Sequence, residues 1–222
     1  MTTRENRLAI FDLDGTLLDT IGDLAEACNH MLRLRGLATH SREEYHKMVG
    51  NGILKLVERA LPEHLRDAEY VMAAREDFLA YYVEHIDCHT RPYEGIREVL
   101  HSLQEEGWTL AVASNKFDSG TKQLVSSIFP EVEFKAVYGN REDFPLKPDA
   151  ALVELIMKEC GAEREMTTMI GDSGVDMQTA KSGEVRSIGC TWGFRSRTEL
   201  EENGADYIVD SPLEILQILN NF

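Results

Sequence analysis

A chain of 222 residues with 43% hydrophobic and 28% charged side chains is long enough for one to two domains and a real core, and it shows neither a low-complexity tract nor an internal repeat. Its formal net charge of −16 repels nucleic acid and anionic lipid, so neither is an expected partner, and an anionic substrate must meet local positive charge or a metal. No segment approaches the ~18 apolar residues of a membrane span, and the polar start Met1–Arg7 lacks a signal core, so a cytoplasmic protein is expected. Cys28, Cys88, Cys160 and Cys190 form no Cys-x-x-Cys pair, which predicts reduced core thiols and neither a structural zinc site nor a disulfide frame.

The apolar run Leu8-Ala9-Ile10-Phe11 predicts a buried strand ending at Asp12. Asp12 and Asp14 are two residues apart, so extended alternation points them the same way, and Gly15 lets the backbone turn behind them. Two like charges that close repel unless a cation lies between them or one carboxyl keeps its proton, and either outcome suits phosphoryl transfer. From about Thr20 to Cys88 only helical periodicity remains. One stripe is Ile21, Leu24, Ala25, Cys28, Met31 and Leu32, a shorter segment spans Ile53–Leu61, and a further stripe is Leu65, Ala68, Val71, Met72, Leu79, Val83 and Ile86.

A helix over 94–106 comes next, with Ile96, Val99, Leu100 and Leu103 on one face before a Gly107 stop. Short runs ending in polar or Gly residues at Leu110–Ser114, Ala136–Gly139, Thr168–Asp172, Ser187–Cys190 and Tyr207–Asp210 complete the rhythm of a parallel sheet. The expected fold is therefore α/β: a parallel-sheet core of 1–19 and 89–222, interrupted after its first strand by an all-helical insert over 20–88. Ligands of open parallel sheets bind outside the carboxyl ends of the strands, where the insert must emerge, so it is placed to act as a lid.

Four stations fall at strand ends or in loops. Beyond Asp12 and Asp14 they are Ser114-Asn115-Lys116, Lys147 in Leu146-Lys147-Pro148-Asp149, and Gly171-Asp172-Ser173 with Asp176 one helical turn on. Pro148 biases Lys147 toward extended backbone and can start the following helix. Taken singly, each has a plainer reading: Ser114 as a helix cap, Lys147 and Lys116 as solvated lysines, Asp176 as a surface helix residue.

Together and in this order, Phe11-Asp12-Leu13-Asp14-Gly15-Thr16, Ser114-Asn115-Lys116, Lys147-Pro148 and Gly171-Asp172-Ser173-Gly174-Val175-Asp176 resemble the four motifs of the haloacid dehalogenase superfamily of aspartate-nucleophile phosphatases, and they cover essentially the whole chain. The resemblance implies a Rossmann-like core with a helical cap, and a Mg²⁺-dependent phosphomonoester hydrolase. It implies Asp12 as nucleophile, with the Asp12 carboxylate, the Asp14 main-chain carbonyl and Asp172 as metal ligands. The chemistry agrees. An Asp carboxylate is ionised at neutral pH without a base, and all-oxygen donors suit Mg²⁺.

Asp14 then has a side chain free to protonate the leaving alkoxide and to deprotonate the attacking water. Ser114 and the backbone N–H of Asn115, with the helix start behind them, are expected to bind phosphoryl oxygens, Lys116 to steer phosphate, and Lys147 to place charge beside Asp12. Asp176, with Ser173 beside it, is expected to support the site by holding Lys147 or a metal-bound water. True dehalogenases lack an acid at position 14, which argues against that activity.

Within the superfamily, Val49-Gly50-Asn51-Gly52 followed by Glu58-Arg59-Ala60-Leu61, Arg91-Pro92-Tyr93-Glu94-Gly95 and Thr191-Trp192-Gly193-Phe194-Arg195 look like phosphoglycolate phosphatases. Gly50 and Gly52 permit close approach of backbone N–H groups to a small anion and Asn51 can add an amide, although an ordinary helix–turn connection reads the same way. Ala150 and Glu184 depart from the usual pattern without touching the chemistry. The expected partner is a small phosphorylated metabolite, phosphoglycolate first, handled by a monomer or homodimer. A phosphosugar mutase, a pyrophosphatase or a nucleotidase on the same scaffold are the alternatives. A signalling receiver domain fails on length and on the insert. The seven histidines form no metal-spaced cluster, Trp108 reads as packing, and Trp192 lies close enough in sequence to line the site's rim.

Overall fold

The computed structural model describes residues 6–50, 52–142 and 144–221. The chain separates into two compact units, one of residues 1–18 with 92–222 and one of residues 19–91. In chain order the elements are β1 (Leu8–Phe11), β2 (Leu18–Asp19), α1 (Ile21–Leu34), α2 (Arg42–Met48), α3 (Ile53–Ala60), α4 (Ala68–Tyr82), β3 (Arg91–Pro92), α5 (Ile96–Glu105), β4 (Thr109–Phe117), α6 (Asp118–Ile128), β5 (Phe134–Asn140), α7 (Ala151–Cys160), β6 (Thr167–Gly171), α8 (Gly174–Ser182), β7 (Arg186–Cys190), α9 (Arg197–Glu202), β8 (Tyr207–Val209) and α10 (Leu213–Leu219).

The larger unit is a six-stranded sheet in the order β5-β4-β1-β6-β7-β8, with every pairing parallel. β1 is fully buried along its length, as an inner strand covered on both faces must be, and its unbroken apolar run reflects that. Its register sets Phe11 beside Val112 of β4 and Ile170 of β6, so β1 and β6 finish nearly level while β4 continues past them. On one face Leu8, Ile10, Ala111, Ala113 and Met169 pack against Leu152, Val153, Ile156 and Met157 of α7. α5 buries Ile96, Val99, Leu100 and Leu103, the face its spacing predicts, and packs on β4.

Two local features differ from expectation. β4 runs on to Phe117 with a register irregularity between Ala113 and Phe117, so Ser114, Asn115 and Lys116 lie within the strand and the helix start waits until Asp118. Irregularities of this kind re-aim side chains at strand ends. α7 begins at Ala151, not at Pro148, and the Lys147–Pro148 peptide bond is cis.

The smaller unit is a four-helix cluster in which α1 packs against α2 and α4, and α3 against the same two. α1 buries all six residues of its expected stripe. α4 does not: its buried face is Val71, Ala74, Phe78 and Tyr82, while Met72 and Val83 are 47% exposed. The aromatic rings, each bringing more apolar area than an aliphatic side chain, decide which face turns inward. Asp23, 3% exposed, accepts hydrogen bonds from the backbone N–H groups of His89 and Thr90 and from the Thr90 hydroxyl, which ties the end of this unit to its first helix. Cys28, Cys160 and Cys190 are buried as expected, but Cys88 is exposed. Among the described residues no helix is long and apolar enough to cross a membrane.

Candidate active site

β4, β1 and β6 are neighbours in the sheet, so the residues just beyond their carboxyl ends converge by topology. Asp12 is the first residue beyond β1, and its backbone N–H donates to the Ile170 carbonyl at 2.9 Å, extending the β1–β6 pairing by one rung. Asp172 is the first residue beyond β6. Oxygens of Asp12, Asp172 and Asp176 lie within 4.8 Å of one another, all three residues being buried.

The turn after Asp12 is tight. The N–H groups of Leu17 and Leu18 both donate to the Leu13 carbonyl, and Gly15 sits at φ 91°. A side chain there would be strained by the backbone and would also strike Asp172, since a Cβ on Gly15 would lie 2.4 Å from its Oδ2. From the other side, a Cβ on Gly193 would lie 2.3 Å from the Asp172 Cβ. Asp172 Oδ2 accepts the Phe194 N–H at 2.7 Å, and the Trp192 indole N–H donates to the Thr16 carbonyl at 3.1 Å. The segment 192–194 therefore fastens Asp172 and the first loop together. The roles of Gly193 and Phe194 in the site are not expected from the motifs; the signal for them in the sequence is a glycine between two aromatic residues beside a strand end, which permits close approach.

Lys147 is 5% exposed and its ammonium donates to Asp12 Oδ1 at 2.8 Å, the Ala113 carbonyl at 2.8 Å and Asp176 Oδ1 at 2.6 Å. All three ammonium hydrogens are thus committed. Asp176 is fully buried, not a surface residue, and its Oδ2 accepts the Ser173 hydroxyl and N–H. Ser173 in turn caps α8, accepting from the Asp176 N–H in a reciprocal capping box.

Lys116, 2% exposed at its side chain, reaches both oxygens of Asp14 at 3.2 and 3.3 Å. Its charge is held by Asp14, where the sequence pointed to phosphate or solvent. Ser114 is 2% exposed and its hydroxyl oxygen accepts the Lys116 N–H at 3.2 Å, so it caps no helix and keeps its own proton to donate. The Asn115 side chain turns to the Lys147 main chain.

Burial dominates the titration of the cluster. It raises Asp12 from 3.8 to about 7, with the negative charges of Asp176 and Asp14 adding to the rise and Lys147 opposing it. Asp172 rises well above the carboxylate range for the same first reason, reinforced by Asp176 and Asp12 and opposed by the Phe194 N–H. Burial works against the Lys147 ammonium, but Asp12 and Asp176 outweigh it and the group stays charged. Asp12, Asp14, Asp172 and Asp176 set four carboxylates against the two ammonium groups of Lys116 and Lys147, an excess of two when all are ionised. Oxygen donors carrying that excess fit a hard divalent cation.

In the smaller unit, Gly50 and Gly52, in the connection between α2 and α3, have φ 104° and 84°. The Arg59 guanidinium donates to the carbonyls of Met48 at 2.8 Å and Gly50 at 3.2 Å, fixing the turn. Asn51 lies outside the described residues. Both glycines thus answer a backbone requirement of their own.

The family model of haloacid dehalogenase-like hydrolases matches residues 9–190. A phosphoglycolate phosphatase of Colwellia psychrerythraea is 31% identical over 221 residues, covering 97% of this chain and 98% of its own. One from Agrobacterium fabrum is 34% identical over 215 residues, covering 95% and 91%. A solved structure of a phosphoglycolate phosphatase candidate from Lactobacillus delbrueckii subsp. bulgaricus is similar with a TM-score of 0.90 and 31% identity, over 97% of this chain and 98% of that one.

Proposed function

The chain belongs to the haloacid dehalogenase-like hydrolase family and is a phosphatase, and on that premise we propose that it hydrolyses a small phosphorylated acid, phosphoglycolate first, through an aspartyl phosphate, an acyl phosphate formed on Asp12, and with Mg²⁺. The observation that carries the reading is the buried cluster at the end of β1, where Asp12 is held by Lys147 and faces Asp172 and Asp176. Mg²⁺ held by the Asp12 carboxylate, the Asp14 carbonyl and Asp172 would supply positive charge that offsets the repulsion between an anionic nucleophile and a phosphate dianion.

The residues act in two half-reactions. In the first, a carboxylate oxygen of Asp12 forms a bond to phosphorus as the phosphorus–alkoxide bond breaks, and Asp14 gives its proton to the departing alkoxide. Lys147 holds Asp12 in place from Oδ1, while the Ser114 hydroxyl proton is available to a phosphoryl oxygen. In the second, Asp14 takes a proton from water, the water oxygen bonds to phosphorus, and the acyl–phosphate bond breaks to return the Asp12 carboxylate and inorganic phosphate. The Lys116 ammonium at both Asp14 oxygens restrains that side chain between the two steps. Ser173 serves by holding Asp176, and Asp176 by holding Lys147. Substrate choice is assigned to the helical unit, including Gly50, Asn51 and Gly52, and the site of action to the cytoplasm.

Phosphate release from phosphoglycolate, p-nitrophenyl phosphate, a hexose phosphate, a nucleoside monophosphate and pyrophosphate, measured with Mg²⁺ and with excess EDTA, tests the reading. Phosphoglycolate is expected to have the highest kcat/KM, with turnover abolished by EDTA. Preference for the sugar, nucleotide or pyrophosphate overturns the substrate, and turnover undiminished in EDTA overturns the metal requirement.

A further inference from the structure

Asn115 is one residue beyond the phosphate-binding serine, and its side chain is spent on a single neighbour. Its Oδ1 accepts the Lys147 backbone N–H at 2.9 Å, and its Nδ2 donates to the Lys147 carbonyl at 3.1 Å. One primary amide has a donor and an acceptor side by side, so it can bond both main-chain groups of one residue as an adjacent strand would. Lys147 needs such a partner. It lies between β5 and α7, in a stretch closed by local turns at Phe144 and Asp149, and its successor Pro148 has no N–H of its own.

The other end of Lys147 returns to the same strand. Its ammonium donates to the Ala113 carbonyl as well as to Asp12 and Asp176. β4 therefore grips Lys147 at both ends: Asn115 sets where the main chain starts, and Ala113 takes part in fixing where the flexible side chain finishes. A lysine carries about 2 kcal/mol of rotamer entropy, so defining its root narrows what the tip can reach.

We propose that Asn115 is a positioning residue for Lys147, acting on the reaction through the placement of the ammonium against Asp12 and not through contact of its side chain with substrate. The inference rests on the phosphatase reading for its kinetic consequence, but its structural part stands apart from it. Misplacement of a reacting group by about 1 Å costs on the order of 10²-fold in rate, which sets the scale of the effect.

The test compares wild type, Asn115→Ala and Asn115→Asp, the second keeping the acceptor for the Lys147 N–H while turning an oxygen toward the Lys147 carbonyl. Two quantities are read on each purified protein: kcat and KM for p-nitrophenyl phosphate with Mg²⁺, and amide hydrogen exchange at Lys147 against Ile10 in β1. The expected result for both variants is a kcat lower by roughly 10–100-fold with KM within about threefold of wild type. In Asn115→Ala the Lys147 amide should also exchange at least about tenfold faster while Ile10 is unchanged. A rise in KM at wild-type kcat would assign Asn115 to the substrate and overturn the proposal. So would wild-type kinetics in both variants, or faster exchange at Ile10 equal to that at Lys147 in both. Wild-type protein without phosphatase activity, but with Lys147 exchange that still depends on Asn115, would overturn the function and with it the kinetic part alone.

Discussion

Lys147→Met is the sharpest probe of the buried cluster, because it removes one cation and leaves its partners in place. The ammonium serves Asp12 Oδ1, Asp176 Oδ1 and the Ala113 carbonyl, and the substitution strips a bond from each while Asp176 keeps Ser173 on its other oxygen. Removing one partner of a buried ion pair costs about 3–5 kcal/mol, since the remaining charge has lost its compensation. The pH dependence carries a definite sign. Asp12 is raised from 3.8 to about 7, so the folded chain holds a proton that the unfolded chain has released, and stability from this group declines as pH climbs from about 4 to about 7 and then levels. Lys147 is the group that opposes the rise, so without it the levelling is postponed and the decline continues above 7, at up to about 1.4 kcal/mol per pH unit. Urea unfolding of the two proteins in EDTA at pH 6 and pH 9 measures this. The variant should be less stable by about 3–5 kcal/mol, with the larger deficit at pH 9. A deficit below about 1 kcal/mol, or one that shrinks as pH rises, would refute the account of Lys147 as the cluster's counter-charge.

Asp14→Asn should lower turnover by about 10²–10⁴-fold on alkyl phosphates, with a smaller loss on an acyl phosphate whose leaving group needs no proton; equal losses on both, with the first half-reaction limiting, would exclude the acid role. Gly193→Ala puts a Cβ onto Asp172, so calorimetry should find Mg²⁺ bound about 10–100-fold more weakly, and unchanged affinity would remove Asp172 from the metal site. Glu184 has φ 53°, and its exposed carboxylate makes only a long contact of 3.9 Å with Arg164. Glu184→Gly should therefore stabilise by about 0.5–1 kcal/mol in thermal or urea unfolding, and a loss of stability would show that the Arg164 contact outweighs the backbone strain.

The parts of this architecture that were legible in the sequence are those set by periodicity. Leu8–Phe11 is apolar without alternation because both faces are covered, and α1 and α5 repeat their buried residues at helical spacing. α2, Arg42–Met48, escaped because only Tyr45 of its seven residues is buried, and what starts it is the Ser41–Glu44 capping box. The buried face of α4 is not legible from its aliphatic spacing, because Phe78 and Tyr82 turn inward while Met72 and Val83 face solvent. In the site, strand ends locate Asp12 and Asp172, and motif order locates Ser114, which lies within β4, and Lys147. Which partner each side chain chooses is not legible in that way. Lys116 bonding Asp14, and Asn115 bonding the Lys147 main chain, depend on the irregular end of β4, and no pattern of residue types announces a register shift. The turn at Gly50 and Gly52 shows the converse: a pattern read as an anion cradle is also what positive φ angles demand, so Val at those positions would test backbone strain and not substrate contact.

Passage of phosphate through Asp12 is the step on which the proposed chemistry stands. Wild-type protein mixed with ³²P-phosphoglycolate and Mg²⁺, quenched in acid within the first turnover and digested, should yield labelled peptide containing Asp12, with the label lost in hydroxylamine and absent from Asp12→Asn, whose fold is retained and whose turnover is abolished. Label on another residue, or phosphate release by Asp12→Asn at a rate near that of wild type, would contradict the account.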